Sequence, residues 1–86
     1  MTIEGAIIKE QGVTFGIVIV KPHILENHST ANGLIVTYQG ILEVAPVVLM
    51  AQDSRGTPNY YGRKDIVDFL ANLDISQIPW QRYTIT

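Results

Sequence analysis

The residues best equipped for chemistry gather in one segment, Gln52-Asp53-Ser54-Arg55-Gly56-Thr57-Pro58-Asn59-Tyr60-Tyr61-Gly62-Arg63-Lys64-Asp65. It follows an apolar run, Ala45 to Ala51, and leads into an amphipathic stretch. It therefore reads as a loop leaving the carboxyl end of a buried strand, where open α/β sheets tend to place ligands. Arg63 and Lys64 then open a helix, an end at which the macrodipole disfavours cations by a few tenths of a kcal/mol to about 1 kcal/mol each. A bound anion reverses that penalty. Free amide hydrogens at the helix start, close backbone approach at Gly56 and Gly62, and a bidentate fork from Arg55 would suit a phosphate or carboxylate. Tyr60 offers an aromatic surface for a partner, and Asp53 stands where a carboxylate could act as a general base. The binding residues expected from sequence are thus Asp53, Arg55, Gly56, Tyr60, Arg63 and Lys64.

Each of these has a plainer role available. Asp53 can cap its own turn through a side-chain oxygen, or pair with Arg55 or Arg63. With Gly62 as N-cap, Tyr61 packs on Ile66 as a hydrophobic staple and Asp65 falls at the third helical position, favourable to the dipole. The segment matches neither the phosphate-loop nor the dinucleotide glycine pattern. Elsewhere, His23, Glu26 and His28 straddle a turn without a fourth ligand, so no metal site is expected. Ser29, Ser54 and Ser76 have no evident base, and neither a nucleophile elbow nor a helical His-Glu-X-X-His site is present. No catalytic residue and no cofactor are assigned. The absence of cysteine removes disulfides, thiolate metal sites and cysteine nucleophiles.

The elements that must position this segment can be read in order. Thr2 to Lys9 and Val13 to Val20 are β-rich runs joined by Glu10-Gln11-Gly12, an opening hairpin whose glycine can take a left-handed turn position. In the second run Val13, Phe15, Ile17 and Ile19 face one way while Val18 and Val20 are apolar on the other, so it is a central strand. Pro22 closes it. Ala31, Leu34, Ile35 and Tyr38 have helical spacing, which predicts a helix from about Ser29 to Gln39 with Asn27 or Ser29 as N-cap and Gly40 as the stop. Gly33 and the β-branched Ile35-Val36-Thr37 leave a strand over Leu34 to Tyr38 as the alternative. Ile41 to Val44 reads as a linker, Pro46 to Gln52 as a buried strand, Arg63 to Leu73 as a helix and Trp80 to Ile85 as a closing strand.

The expected fold is one α+β domain over residues 1–86, ββαβαβ, with two crossovers and a four-stranded mixed sheet carrying its two helices mainly on one face. The other face would be uncovered, with Val18, Val20 and Trp80 forming an apolar patch suited to dimerisation.

Composition bounds the function. With 86 residues, 47% of them apolar and 16% charged, the chain folds as one small domain without room for a deep internal pocket. A net charge of −2 with interspersed signs supplies no basic face for nucleic acid. No run is long enough to span a membrane, and Met1-Thr2-Ile3-Glu4-Gly5 lacks the features of a secretory signal, so a cytoplasmic location is expected. Asn27-His28-Ser29 is then an accidental match to a glycosylation acceptor. The function expected is that of a binding or interaction module, a homodimer or the partner of another protein, acting through the 53–64 loop and an exposed sheet face, with no catalysis required. The alternative is a sensor or enzyme that binds a small anion at the start of the 63–73 helix.

Overall fold

The computed structural model describes residues 2–10 and 12–85; Met1 and Gln11, which entered the expectations for the N-terminal stretch and the hairpin turn, lie outside the described residues. Strands β1 (Thr2–Glu10) and β2 (Val13–Ile19) form the opening hairpin. Helices α1 (Pro22–Glu26) and α2 (His28–Leu42) then carry the chain to β3 (Val47–Gln52), which lies parallel to β2. Next come β4 (Pro58–Tyr61), α3 (Lys64–Ala71), a single 3₁₀ turn (Ile75–Gln77) and β5 (Gln81–Thr84). The result is a mixed sheet of five strands ordered β4-β3-β2-β1-β5.

The fifth strand is the first departure from the sequence expectation. Pro58 to Tyr61 pairs antiparallel with Leu49 to Gln52, so most of the supposed long loop is a hairpin. Its turn is closed by Asp53 N–H to the Thr57 carbonyl and Gly56 N–H to the Asp53 carbonyl, with Gly56 at φ 82°. Four residues opened by a proline carry too little alternation to announce a strand, and the ladder offered by β3 decides the matter. The second crossover also differs. From β4, the chain crosses to the far edge, where β5 runs antiparallel to β1 instead of joining a parallel neighbour.

The helices cover both faces, which overturns the expectation of an exposed sheet. On one face Ile3, Val18, Val47 and Leu49 pack with Ala31 of α2 and with Ile24 and Leu25 of α1. On the other, Ala6, Phe15, Ile17, Val48 and Met50 pack with Ile66 and Leu70 of α3 and with Ile78. The cause is in β2 and β3 themselves, which are apolar on both sides and need cover on both. Val18 is fully buried beneath α2, and Val20 is half-buried on that side. Trp80 is half-buried on the α3 side, where its indole N–H donates to the Ile75 carbonyl at 3.1 Å.

Helix α2 is longer than its periodicity suggested and excludes a strand over 34–38. Asn27 is its N-cap, accepting from Thr30 N–H at 3.1 Å, and the chain leaves the helix through Glu43 in the left-handed region at φ 55°. Gly40 therefore lies inside the helix, and so do Ile41 and Leu42, expected as linker; packing of Leu34, Ile35, Tyr38, Ile41 and Leu42 on the sheet outweighs two weak glycine positions. The short α1 went unread because Pro22 ends a strand and starts a helix equally well.

Candidate functional site

Asp53, Arg55 and Gly56 lie at the tip of the β3–β4 hairpin, beyond Gln52. Arg63 and Lys64 lie past the other end of β4, where Tyr61 opposes Leu49. The two groups are held apart by four extended residues, roughly 13 Å at about 3.3 Å per residue. The six residues expected from sequence therefore do not converge on one point.

Their local contacts explain their types. Asp53 Oδ1 accepts from the N–H groups of Arg55 (2.8 Å) and Thr57 (3.0 Å), an Asx turn that builds the hairpin tip. Arg63 is the N-cap of α3 in place of Gly62, and its guanidinium makes a bidentate pair with Asp65 at 2.8 and 2.9 Å. Lys64 pairs with Asp68 at 2.7 Å. That contact holds the Lys64 ammonium above its ordinary pKa, and the Arg63 hydrogen bond holds the Asp65 carboxyl below its own. Two acidic neighbours thus already offset the two cations at the helix start. Tyr60 and Tyr61 point to opposite faces of β4. Tyr60 packs on the α3 side with Ile66, and Tyr61 on the α2 side, so the staple expected between Tyr61 and Ile66 does not form. Alternation along a strand enforces the split. The Tyr60 hydroxyl is buried with no hydrogen-bond partner among the described residues, and burial raises its pKa. Tyr61 instead donates to Asn32 Oδ1 at 2.9 Å, and its ring lies 4.9 Å from that of His28.

A wide concavity lies elsewhere, at the carboxyl ends of the parallel pair β2 and β3. It is an open groove of about 720 Å³. Ile19, Val20 and Lys21 enter it from the end of β2, Gln52 from the end of β3, and Thr2, Ile3 and Glu4 from β1. Pro22, His23 and Ile24 of α1 and Leu34 and Tyr38 of α2, one helical turn apart, complete its wall. Gln52 Nε2 donates to the Gly56 carbonyl at 3.0 Å and so ties this lip to the hairpin tip. Glu4 is engaged by Arg82 at 3.4 Å across the β1–β5 ladder. Lys21 has no ion-pair partner among the described residues. Of six Lys and Arg side chains, Arg63, Lys64 and Arg82 are paired, and of the remaining three only Lys21 lines the groove. An ammonium and an imidazole thus stand over an apolar floor, an arrangement able to hold an anionic group and the apolar body attached to it. Among the described residues, no three His, Asp or Glu side chains converge as metal ligands.

The groove residues were not brought together from the sequence: Glu4 and Lys21 were assigned no role, His23 was weighed only as a metal ligand, Tyr38 only as a helix-face residue and Gln52 only as the end of the buried strand and the start of the loop segment. The usable signal was Val20-Lys21-Pro22-His23: a central strand whose chain leaves for a crossover helix ends at the crevice where α/β sheets bind ligands. Compared with known proteins, the chain matches no family model, no curated protein and no solved structure, so the site rests on geometry.

Proposed function

We propose that the protein is a small binding domain without catalytic activity that takes an anionic ligand bearing an apolar portion, such as an organic carboxylate or phosphate ester, in the groove at the carboxyl ends of β2 and β3. The observation that carries this reading is Lys21, without an ion-pair partner among the described residues, beside an apolar floor of Val20, Ile24 and Leu34 in a groove of about 720 Å³. His23 supplies a second donor to the anion, and the Tyr38 side chain bounds its apolar end. The earlier anion reading at the start of α3 has less support, because Arg63 and Lys64 are already matched by Asp65 and Asp68.

The test is thermal unfolding and amide NMR of the domain against a panel of carboxylates and phosphate esters. A ligand at about 100 times its dissociation constant adds about 2.7 kcal/mol, which for a domain this size raises Tm by roughly 10 to 20 °C. Resonance shifts are expected at Ile19 to Ile24 and Gln52, and Lys21→Ala should remove them while Lys64→Ala leaves them unchanged. Shifts confined to Arg63 to Ile66 would transfer the site to the helix start. A panel without any shift would reject both anion sites.

A further inference from the structure

Strand β5 covers only part of its neighbour. It pairs with Thr2 to Gly5, whereas β1 runs on to Glu10. The direction of the remaining backbone groups follows from the ladder on the other side of the hairpin. Gly16 and Val20 donate their N–H groups to the carbonyls of Pro46 and Met50, so the even-numbered residues of β2 address β3. Its odd-numbered residues address β1, where Val13, Phe15 and Ile17 stand opposite Glu10, Ile8 and Ala6. Those three turn inward. Ile7 and Lys9 consequently direct N–H and C=O out of the sheet, and among the described residues no backbone hydrogen bond outside the regular elements reaches either. Ile7 is also 41% exposed, unusual for so large an apolar residue at a sheet edge.

We infer that this open stretch is a self-association edge, on which β1 of a second copy pairs antiparallel about a twofold axis at Ile8. The argument for a second copy is that the stretch fits itself in one register. A twofold axis normal to the sheet keeps each face continuous, so only residues sharing a face can oppose one another. Placing Ile7 opposite Ile7 would set Lys9 against Gly5, whose outer edge β5 already occupies. Placing Lys9 opposite Lys9 sets like charges together, which is unfavourable across strands. Placing Ile7 opposite Lys9 satisfies all four outward backbone groups of each copy. It covers the exposed Ile7 with the aliphatic stem of the opposing lysine, whose ammonium stays in water, and brings the two Ile8 side chains together on the α3 side. The length agrees too. Glu10 falls opposite Ala6, and beyond it the hairpin turns away through Gly12 at φ 79°, next to the point where β5 begins. The two sheets become one of ten strands.

Sedimentation equilibrium of the chain, 9.6 kDa as a monomer, is the test. The wild type should show a concentration-dependent dimer. Ile7→Lys, which sets lysine against Lys9, should weaken it about tenfold or more, and Ile7→Lys combined with Lys9→Glu should restore it by making opposite charges face each other. Lys9→Pro removes an outward N–H without touching the bonds to β2, so it should abolish the dimer with the fold retained in circular dichroism. Should the proline variant misfold, the charge pair still decides, since it alters exposed side chains alone. A wild type that stays monomeric at millimolar concentration overturns the proposal, as does a dimer indifferent to Ile7→Lys.

Discussion

Removing the Tyr60 hydroxyl should stabilise the protein. The oxygen is buried on the α3 side of the sheet with no hydrogen-bond partner among the described residues, and burial raises its pKa. A buried hydroxyl without a hydrogen bond forfeits its hydration at about 1–3 kcal/mol. Tyr60→Phe keeps the ring among Ile66 and its neighbours and deletes only the uncompensated atom. Part of the gain is returned through the small void left behind, so the net expectation is about 1 kcal/mol, or a rise in Tm of roughly 4 to 8 °C. Tyr61→Phe is the matched control. Its hydroxyl donates to Asn32, so its loss should destabilise by up to about 1 kcal/mol. Two adjacent tyrosines should thus respond to the same change with opposite signs.

The alkaline limb supplies an independent check. The folded-state pKa of Tyr60 lies above its ordinary 10.0, so the native state holds the proton more tightly than the unfolded chain does. Its contribution to stability is complete below about pH 10 and is lost as pH rises through the folded value. The wild type should therefore weaken in that window more than Tyr60→Phe, widening the gap between them. Chemical denaturation of both variants at neutral and alkaline pH measures each part. A Tyr60→Phe protein less stable than wild type by 1 kcal/mol or more would refute the reasoning, because it would show the hydroxyl to be well bonded.

Three further outcomes follow from the fold. A Cβ at Gly5 would run into the carbonyl oxygen of Ile17 on β2, so Gly5→Ala should lower stability by roughly 1–3 kcal/mol or more. Gly33→Ala, with open space around it inside α2, should raise stability by about 0.5–1 kcal/mol, and denaturant melts of the pair would show whether the tight backbone approach at Gly5 is real. Asp74 accepts hydrogen bonds from the N–H and hydroxyl of Ser76, which hold its pKa below the ordinary 3.8. Its contribution is therefore present above that value and lost as pH falls through the folded one, so acid titration of Asp74→Ala should show a shallower decline that meets the wild-type curve at the lowest pH.

How far the chain can be read without coordinates depends on which contacts are local. The opening hairpin, the central place of β2, the buried β3 and the amphipathic α3 all follow from periodicities carried by their own residues. The two-sided apolarity of β2 and β3 also held the answer to the helix arrangement. Val18 and Leu49 demand cover as strongly as Ile17 and Met50, and helices on one face alone cannot provide it. Strand β4 was illegible for the opposite reason: Pro58 to Tyr61 is extended only because β3 offers it a ladder. The same strand decides how the candidate residues are arranged. Polar and aromatic residues of the 53–64 segment are sorted by that strand to two ends and two faces, whereas the groove residues come from β1, β2, β3, α1 and α2, a convergence no linear spacing encodes.

The register of β1 on β5 sets Thr2 beside Thr84 on adjacent strands, so the chain enters and leaves the sheet at one place. Anything joined at either end departs from the same spot, beside the groove that Thr2 lines. Tension applied through those two residues would load the β1–β5 ladder one hydrogen bond at a time, an unzipping geometry with little resistance, instead of shearing all the bonds together. Joining the two ends with a short linker, and opening the chain at the exposed hairpin tip between Asp53 and Thr57, would change the order in which the sheet is threaded while leaving both of its covered faces as they are.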